Sequence, residues 1–274
     1  MQNKIREASE YIKTKCGNNF SIGIILGTGL GGIVKNIKLD LSLDYSEIPD
    51  FPVSTVESHN GKLLFGKLEG VRIVAMQGRF HFYEGYSHKR IIFPLYIFKN
   101  LGVRYLIVSN ACGCVNPHFK KTDLMIITSH INLHFTSPLI GFNSSGLRLS
   151  GKFYSDELIS LAEQTAYQLG IDIRKGVYAS VQGPNLETKS EYRFIRKTNA
   201  DVVGMSTIPE IIAAHELGIK SLGISIVTDE GFPDTVKVAK IEDILEAASV
   251  AEPKLTRLIT EIVKKINYNI NNNK

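Results

Sequence analysis

Short apolar runs recur along this chain, most closing on glycine and polar residues and several followed by a helical pattern. The first is Ile22-Gly23-Ile24-Ile25-Leu26, which runs into Gly27-Thr28-Gly29-Leu30-Gly31-Gly32. A continuous apolar stretch bounded in this way suits a strand buried on both faces. Further strands are expected at 62–68 and 72–76, joined by a hairpin turn at Glu69-Gly70, and at 104–110, 124–128, 175–181, 200–203 and 222–227. Helices are expected at 3–16, 88–100 with a kink at Pro94, 154–169, 188–198, 208–217 and 241–265, the last divided by Pro253. The stretch from 33 to 51 shows no helical stripe, and 267–274 reads as a frayed polar tail. Strand–helix alternation of this kind implies an α/β protein: one domain over 1–274, with a central mixed, largely parallel twisted sheet flanked by helices. No linker, repeat or low-complexity block divides it.

Charge narrows the partners. The formal net charge of +5 is spread along the chain, apart from a small cluster at Lys264, Lys265 and Lys274. A nucleic-acid binder concentrates its basic residues on one face with aromatics between them, so nucleic acid is not the expected partner. A small anionic substrate fits the same balance. The odd cysteine count (Cys16, Cys112, Cys114) implies no disulfide framework and points to the reducing cytoplasm. The start, MQNKIREASEYIK, is polar and unlike a signal peptide, and no apolar run reaches the length of a membrane span. The sequon Asn143-Ser144-Ser145 has meaning only in a secreted chain.

Ligands of open α/β sheets bind beyond the carboxyl ends of the strands. Here those ends carry clusters at 27–32, 77–83, 109–116, 182–187, 204–207 and 228–231, which suggests one composite pocket. Gly27, Gly29 and Gly32 match G-x-G-x-x-G, and Asp44 or Glu47 stands about 20 residues on, as a dinucleotide site would want. The following stretch lacks a regular helix and soon meets Pro49 and Pro52. An anion cradle, with glycine amides and the Thr28 hydroxyl as donors, is the better reading. Arg79 and His81 lie two apart and face the same way in an extended segment, a fork and an imidazole suited to a phosphate dianion. Tyr83 continues that alternation toward a sugar. His130 and His134 are four apart, but the segment reads as a strand leading into a loop, so no metal site is expected. The stretch from 136 to 150 is a long Gly/Ser/Pro-rich loop, a length at which loops are often functional.

Several stretches together resemble the trimeric, low-molecular-mass purine nucleoside phosphorylases, relatives of the methylthioadenosine phosphorylases. They are the 27–32 loop, Ile48-Pro49-Asp50-Phe51-Pro52 with Ser54-Thr55-Val56, the stretch from Gln77 to Tyr86, Gly183-Pro184-Asn185-Leu186-Glu187-Thr188, and the stretch from Gly204 to Glu210. Their order and spacing span nearly the whole chain. The resemblance implies that Thr28, Arg79, His81, Ser206 and the backbone of Ala111 hold phosphate. It places Tyr83 and Met205 on ribose, and His59 near both phosphate and sugar. Leu186, Glu187, Val203, Thr228 and Asp229 would surround the purine. His59, His81, Glu187 and Asp229 would carry the catalytic load. It also implies a homotrimer in which a loop reaches a neighbour's site, Leu149 standing where that neighbour usually offers Phe. Inorganic phosphate is a co-substrate, and neither cofactor nor metal is implied.

Departures from the family pattern bear on specificity. Cys112 and Cys114 replace small residues, and their spacing of two makes a disulfide between them strained, so they read as buried thiols. Asn185 and Leu186 replace the usual hydroxyl residue and Phe. Asp229 stands where Asn marks the 6-oxopurine enzymes, and Ile241 aligns, across a small gap, with a histidine that approaches the 5′-hydroxyl. Asp229 and Ile241 favour a methylthioadenosine phosphorylase, whereas the 78–86 stretch favours the nucleoside enzymes. A hydrolase that uses water and a silent nucleoside-binding protein are the readings from other classes. The intact Arg79, His81, Glu187 and Ser206 set argues against the silent one.

Overall fold

A computed structural model describes residues 1–27, 31–53, 61–141, 152–232 and 240–272. In chain order the elements are α1 (Gln2–Cys16), β1 (Ile22–Leu26), β2 (Lys38–Asp44), β3 (Lys62–Leu68), β4 (Val71–Gln77), α2 (His88–Ile91), α3 (Phe93–Asn100), β5 (Tyr105–Cys114) and β6 (Leu124–Asn132). They continue with α4 (Asp156–Gln168), β7 (Ile173–Ser180), α5 (Lys189–Lys197), β8 (Val202–Gly204), α6 (Ile208–Glu216), β9 (Lys220–Glu230) and α7 (Ile241–Asn272).

The strands form one sheet in the order β2-β3-β4-β1-β5-β8-β7-β6-β9, and β9 pairs back onto β5. That last pairing closes β5, β8, β7, β6 and β9 into a ring, while β2, β3, β4 and β1 extend from β5 as an open wing. Pairing is parallel for β1–β4, β1–β5, β5–β9, β6–β7 and β7–β8, and antiparallel for β2–β3, β3–β4, β5–β8 and β6–β9. The expected mixed, largely parallel sheet is therefore present, and its partial closure into a barrel is an addition.

Each residue of β1 is buried, as a strand sandwiched between helices must be. Its side chains alternate between two apolar layers. Ile25 joins the layer with Ile12, Phe98 and Ile211, from α1, α3 and α6. Ile22, Ile24 and Leu26 join the layer with Leu158 from α4 and Leu258 and Ile262 from α7. The hairpin turn is as expected, with Glu69 at φ 49° and Gly70 at φ 78°, the pair of positive angles that matches strand twist in a two-residue loop.

Several expectations need correction. Pro253 does not divide the last helix, and α7 runs through it to Asn272, so the tail is helical rather than frayed over most of its length. Ala248 and Ala251 before the proline and Leu255, Leu258, Ile259, Ile262 and Ile266 after it pack in one layer, and that burial outweighs a missing backbone bond. The expected helix at 88–100 is two, α2 and α3, meeting at Ile92 with Pro94 in the first turn of the second. The stretch from 33 to 51 supplies a strand, β2, paired to the edge of the hairpin. β5, β6 and β9 run further than expected, because residues such as Ala111, Ser129 and Asp229 continue the ladders.

Candidate active site

A cleft of about 390 Å³ opens where these extended strand ends meet. Arg79, His81, Tyr83, Ala111, Leu186, Glu187, Val203, Met205, Ser206, Thr228 and Asp229 all line it. Thr28, His59 and Leu149 lie outside the described residues. Gly27 also lines the cleft, and at Gly32 a side chain would run into the Glu252 carboxylate of α7.

One end of the cleft is built around a buried arginine. Arg79 follows β4 and is fully buried. Its Nε and Nη2 donate to Glu210 Oε1 at 3.2 and 2.9 Å, and its Nη1 donates to the Ser109 carbonyl at 3.0 Å and to Ser206 Oγ at 3.1 Å. Burying a guanidinium demands such partners, and Glu210 at the start of α6 supplies the counter-charge. The extended segment expected to carry the alternation on to Tyr83 ends at His81. His81 caps a short 3₁₀ turn at Phe82–Glu84, with its amide donating to Glu84 Oε1 at 2.8 Å and its Nδ1 2.9 Å from the same oxygen. That turn folds Tyr83 back so that its ring stacks on the imidazole, centroids 4.7 Å apart. Burial lowers the His81 pKa, against the raising pull of Glu84. A neutral ring that donates through Nδ1 keeps its lone pair on Nε2.

The other end is lined by two carboxyl groups. Burial raises the Asp229 pKa, opposed by a hydrogen bond from Thr228 Oγ1 (2.9 Å) and by the charge of Lys121. Burial likewise raises Glu187, opposed by a hydrogen bond with Tyr192 and reinforced by the charge of Asp229. Glu187 sits just before α5, whose first turn is fixed by a capping box: the Thr188 amide donates to Glu191 Oε2 at 2.7 Å and the Glu191 amide to Thr188 Oγ1 at 3.3 Å. Thr228 and Asp229 are consecutive in β9 and in a regular strand would point to opposite faces. The β5–β9 register shifts here, Cys112 pairing with Val227 and Gly113 with Asp229. Thr228 is the extra residue of a bulge, and both side chains reach the cleft. Gly113 leaves room for this, since a Cβ there would lie 2.6 Å from Asp229 Oδ2.

The sequence reading missed Asn110, Glu210, Tyr192 and Ile244. Asn110 and Ile244 line the cleft, while Glu210 and Tyr192 hold residues that do. Asn110 carried a signal in its place in the polar cluster after a strand, and Glu210 in closing the 204–210 stretch. Cys112 and Cys114 are free thiols, as expected; burial pushes both up, Cys114 to about 12. His130 and His134 turn to separate partners, Tyr154 Oη at 3.2 Å and Ser180 Oγ at 2.8 Å.

A cleft that sets a buried arginine, a serine and a histidine against two carboxyl groups, at the strand ends of a mixed α/β sheet, has the make-up of a nucleoside phosphorylase-type transferase. The family model of the Phosphorylase superfamily matches residues 21–264. Over 267 residues the chain is 45% identical to purine nucleoside phosphorylase 1 of Bacillus subtilis (strain 168), covering 96% of this chain and 98% of that one. It is 42% identical to purine nucleoside phosphorylase 1 of Geobacillus stearothermophilus, over 97% and 98% of the two chains, and 41% identical to the purine nucleoside phosphorylase of Bos taurus, over 95% and 94%. A crystal structure of schistosoma purine nucleoside phosphorylase in complex with hypoxanthine superposes with a TM-score of 0.89 at 34% identity, over 96% of this chain and 97% of that one. The chain belongs to the low-molecular-mass purine nucleoside phosphorylase family.

Proposed function

We propose that this cleft is where the chain carries out the reaction of its family, phosphorolysis of purine ribo- and 2′-deoxyribonucleosides to free base and (2-deoxy)ribose 1-phosphate. The chain is a purine-nucleoside phosphorylase, a pentosyltransferase. A phosphate oxygen forms a bond to C1′ while the bond from C1′ to the purine breaks, its electron pair leaving with the base. The sugar passes through a cationic transition state, so the site has two electrostatic tasks. Arg79, Ser206, the Ala111 amide and Thr28 hold the dianion beneath the ring. The lone pair on His81 Nε2 accepts a hydrogen bond from a sugar hydroxyl or from monobasic phosphate, and the family resemblance assigns His59 to the same task. Tyr83 and Met205 pack on ribose. Val203 and Leu186 flank the purine, Glu187 binds its edge, and Asp229, oriented by Thr228, faces N7. A raised Asp229 pKa favours the protonated acid that can donate to the departing base.

The observation that carries this reading is the division of one cleft into an end built on Arg79 and an end built on Glu187 and Asp229. The whole chain acts as one domain in the cytoplasm, on small-molecule nucleoside and phosphate rather than on nucleic acid or membrane. Among the described residues no helix is long and apolar enough to cross a membrane. A homotrimer is supported by the exposed Phe135 and Phe194, 83% and 54% accessible, beside a second cleft that shares Leu186 and Glu187 with the first. In such a trimer Leu149 of one copy would approach the next copy's purine.

A second reading, 5′-methylthioadenosine as substrate, is favoured by Ile241 and Ile244, which wall the cleft with apolar surface. Initial rates with inosine, guanosine, adenosine and methylthioadenosine, with and without phosphate, test both. Base release from inosine or guanosine that requires phosphate is the expected result. Release that proceeds equally without phosphate would identify a hydrolase, and turnover of methylthioadenosine alone would establish the second reading.

A further inference from the structure

Thr207, directly after Ser206, is a buried β-branched residue at φ 73°, ψ −50°. With the Ile208 amide donating to the Ser206 carbonyl at 2.8 Å, residues 206–208 form a γ-turn of the rare positive-φ kind, a strained conformation. A non-glycine residue holds such angles only when its surroundings impose them. Here Ser180 Oγ donates to the Ser206 carbonyl at 3.1 Å, and Asn110 Nδ2 donates to Thr207 Oγ1 at 2.9 Å.

The Asn110 bond also favours one sense for a hydroxyl relay. Thr207 Oγ1 lies 3.2 Å from Ser206 Oγ. With one Thr207 lone pair taken by the Asn110 amide, the Thr207 proton is free to go to Ser206 Oγ. Arg79 Nη1, which can only donate, gives a second proton to the same oxygen. Ser206 then accepts twice and keeps one proton for a ligand. Asn110 and Ser206 both line the cleft, so that proton is presented where an anion would sit.

We propose that Asn110 is a positioning residue for phosphate: through Thr207 it holds the strained turn and directs the Ser206 proton into the cleft. This rests on the reading of Ser206 as a phosphate donor. Asn110→Ala should raise the phosphate KM about tenfold, the scale of one buried hydrogen bond, and leave the nucleoside KM within about twofold. Thr207→Val, which keeps the shape and removes the hydroxyl, should do the same, and the double variant should be no worse than either single one. Thr207→Ser keeps the hydroxyl and should stay within about threefold of the parent protein. Thr207→Val gives the readout if Asn110→Ala does not fold. Multiplicative losses in the double variant, or a nucleoside KM that rises as much as the phosphate KM, would overturn the proposal by making Asn110 a direct substrate contact. Ser206→Ala separates the two levels. If it raises the phosphate KM while Asn110→Ala does not, the positioning role fails and Ser206 stands. If it leaves the phosphate KM unchanged, the reading of Ser206 fails first.

Discussion

Arg79 illustrates how a buried charge is made tolerable and useful at once. Glu210 neutralises one side of the guanidinium, and Nη1 is turned toward Ser206 and the cleft. Glu187 and Asp229 show the converse, two acids whose burial favours the protonated form. The ends of the cleft should therefore fail separately. Arg79→Ala should raise the phosphate KM steeply, and Glu187→Ala the nucleoside KM, each by 10-fold or more on the scale of a lost charge-assisted hydrogen bond, roughly 1.5–3 kcal/mol. Equal losses for both ligands in either variant would contradict the division. Asp229→Asn should shift the ratio of kcat/KM for adenosine to that for inosine, because an amide always donates while the acid donates only when protonated. An unchanged ratio would remove Asp229 from base selection.

At the scale of elements, the bulge in β9 is the feature that brings Thr228 and Asp229 to one side. Gly113→Ala would press a methyl onto the Asp229 carboxylate, so the nucleoside KM should rise with the phosphate KM unaffected; the same KM set measures it. Much of this level was legible in the sequence. β1, the β3–β4 hairpin and most helices follow from local period and turn residues, and Arg79 and His81 stood out beside glycine at a strand end. The ring closure of β9 on β5, the antiparallel entry of β8 and the register shift at Thr228 are pairings between distant segments, which no local period encodes. The pairings of Asn110 with Thr207 and of Glu210 with Arg79 were hidden for the same reason, since each joins residues about a hundred positions apart. Pro253 misled because the rule for proline counts a lost hydrogen bond, and the packed stripe of α7 is a tertiary fact.

For the whole molecule, buried histidines set an acid limit. Burial lowers His130 and His134 from 6.5 to about 4. In the unfolded chain they bind protons as pH falls below about 6.5, and in the folded chain only near 4, so their contribution to stability is complete above 6.5 and is lost as pH falls toward 4. The raised carboxyls of Glu187 and Asp229 act in the opposite sense: the folded chain takes up their protons first, which favours folding as pH falls through their range. His130→Gln isolates the histidine part. The drop in denaturant midpoint between about pH 7.5 and pH 5 should be smaller in that variant than in the parent. An identical drop would show that His130 does not contribute.

The central claim is that a single crevice binds an anion at Arg79 and a purine at Glu187 on either side of one sugar. Crystals soaked with sulfate and inosine test it most directly. Sulfate beside Arg79 and Ser206, with the purine edge against Glu187 and Asp229, is the predicted result; an empty crevice, or the two ligands bound on separate faces of the molecule, would contradict it.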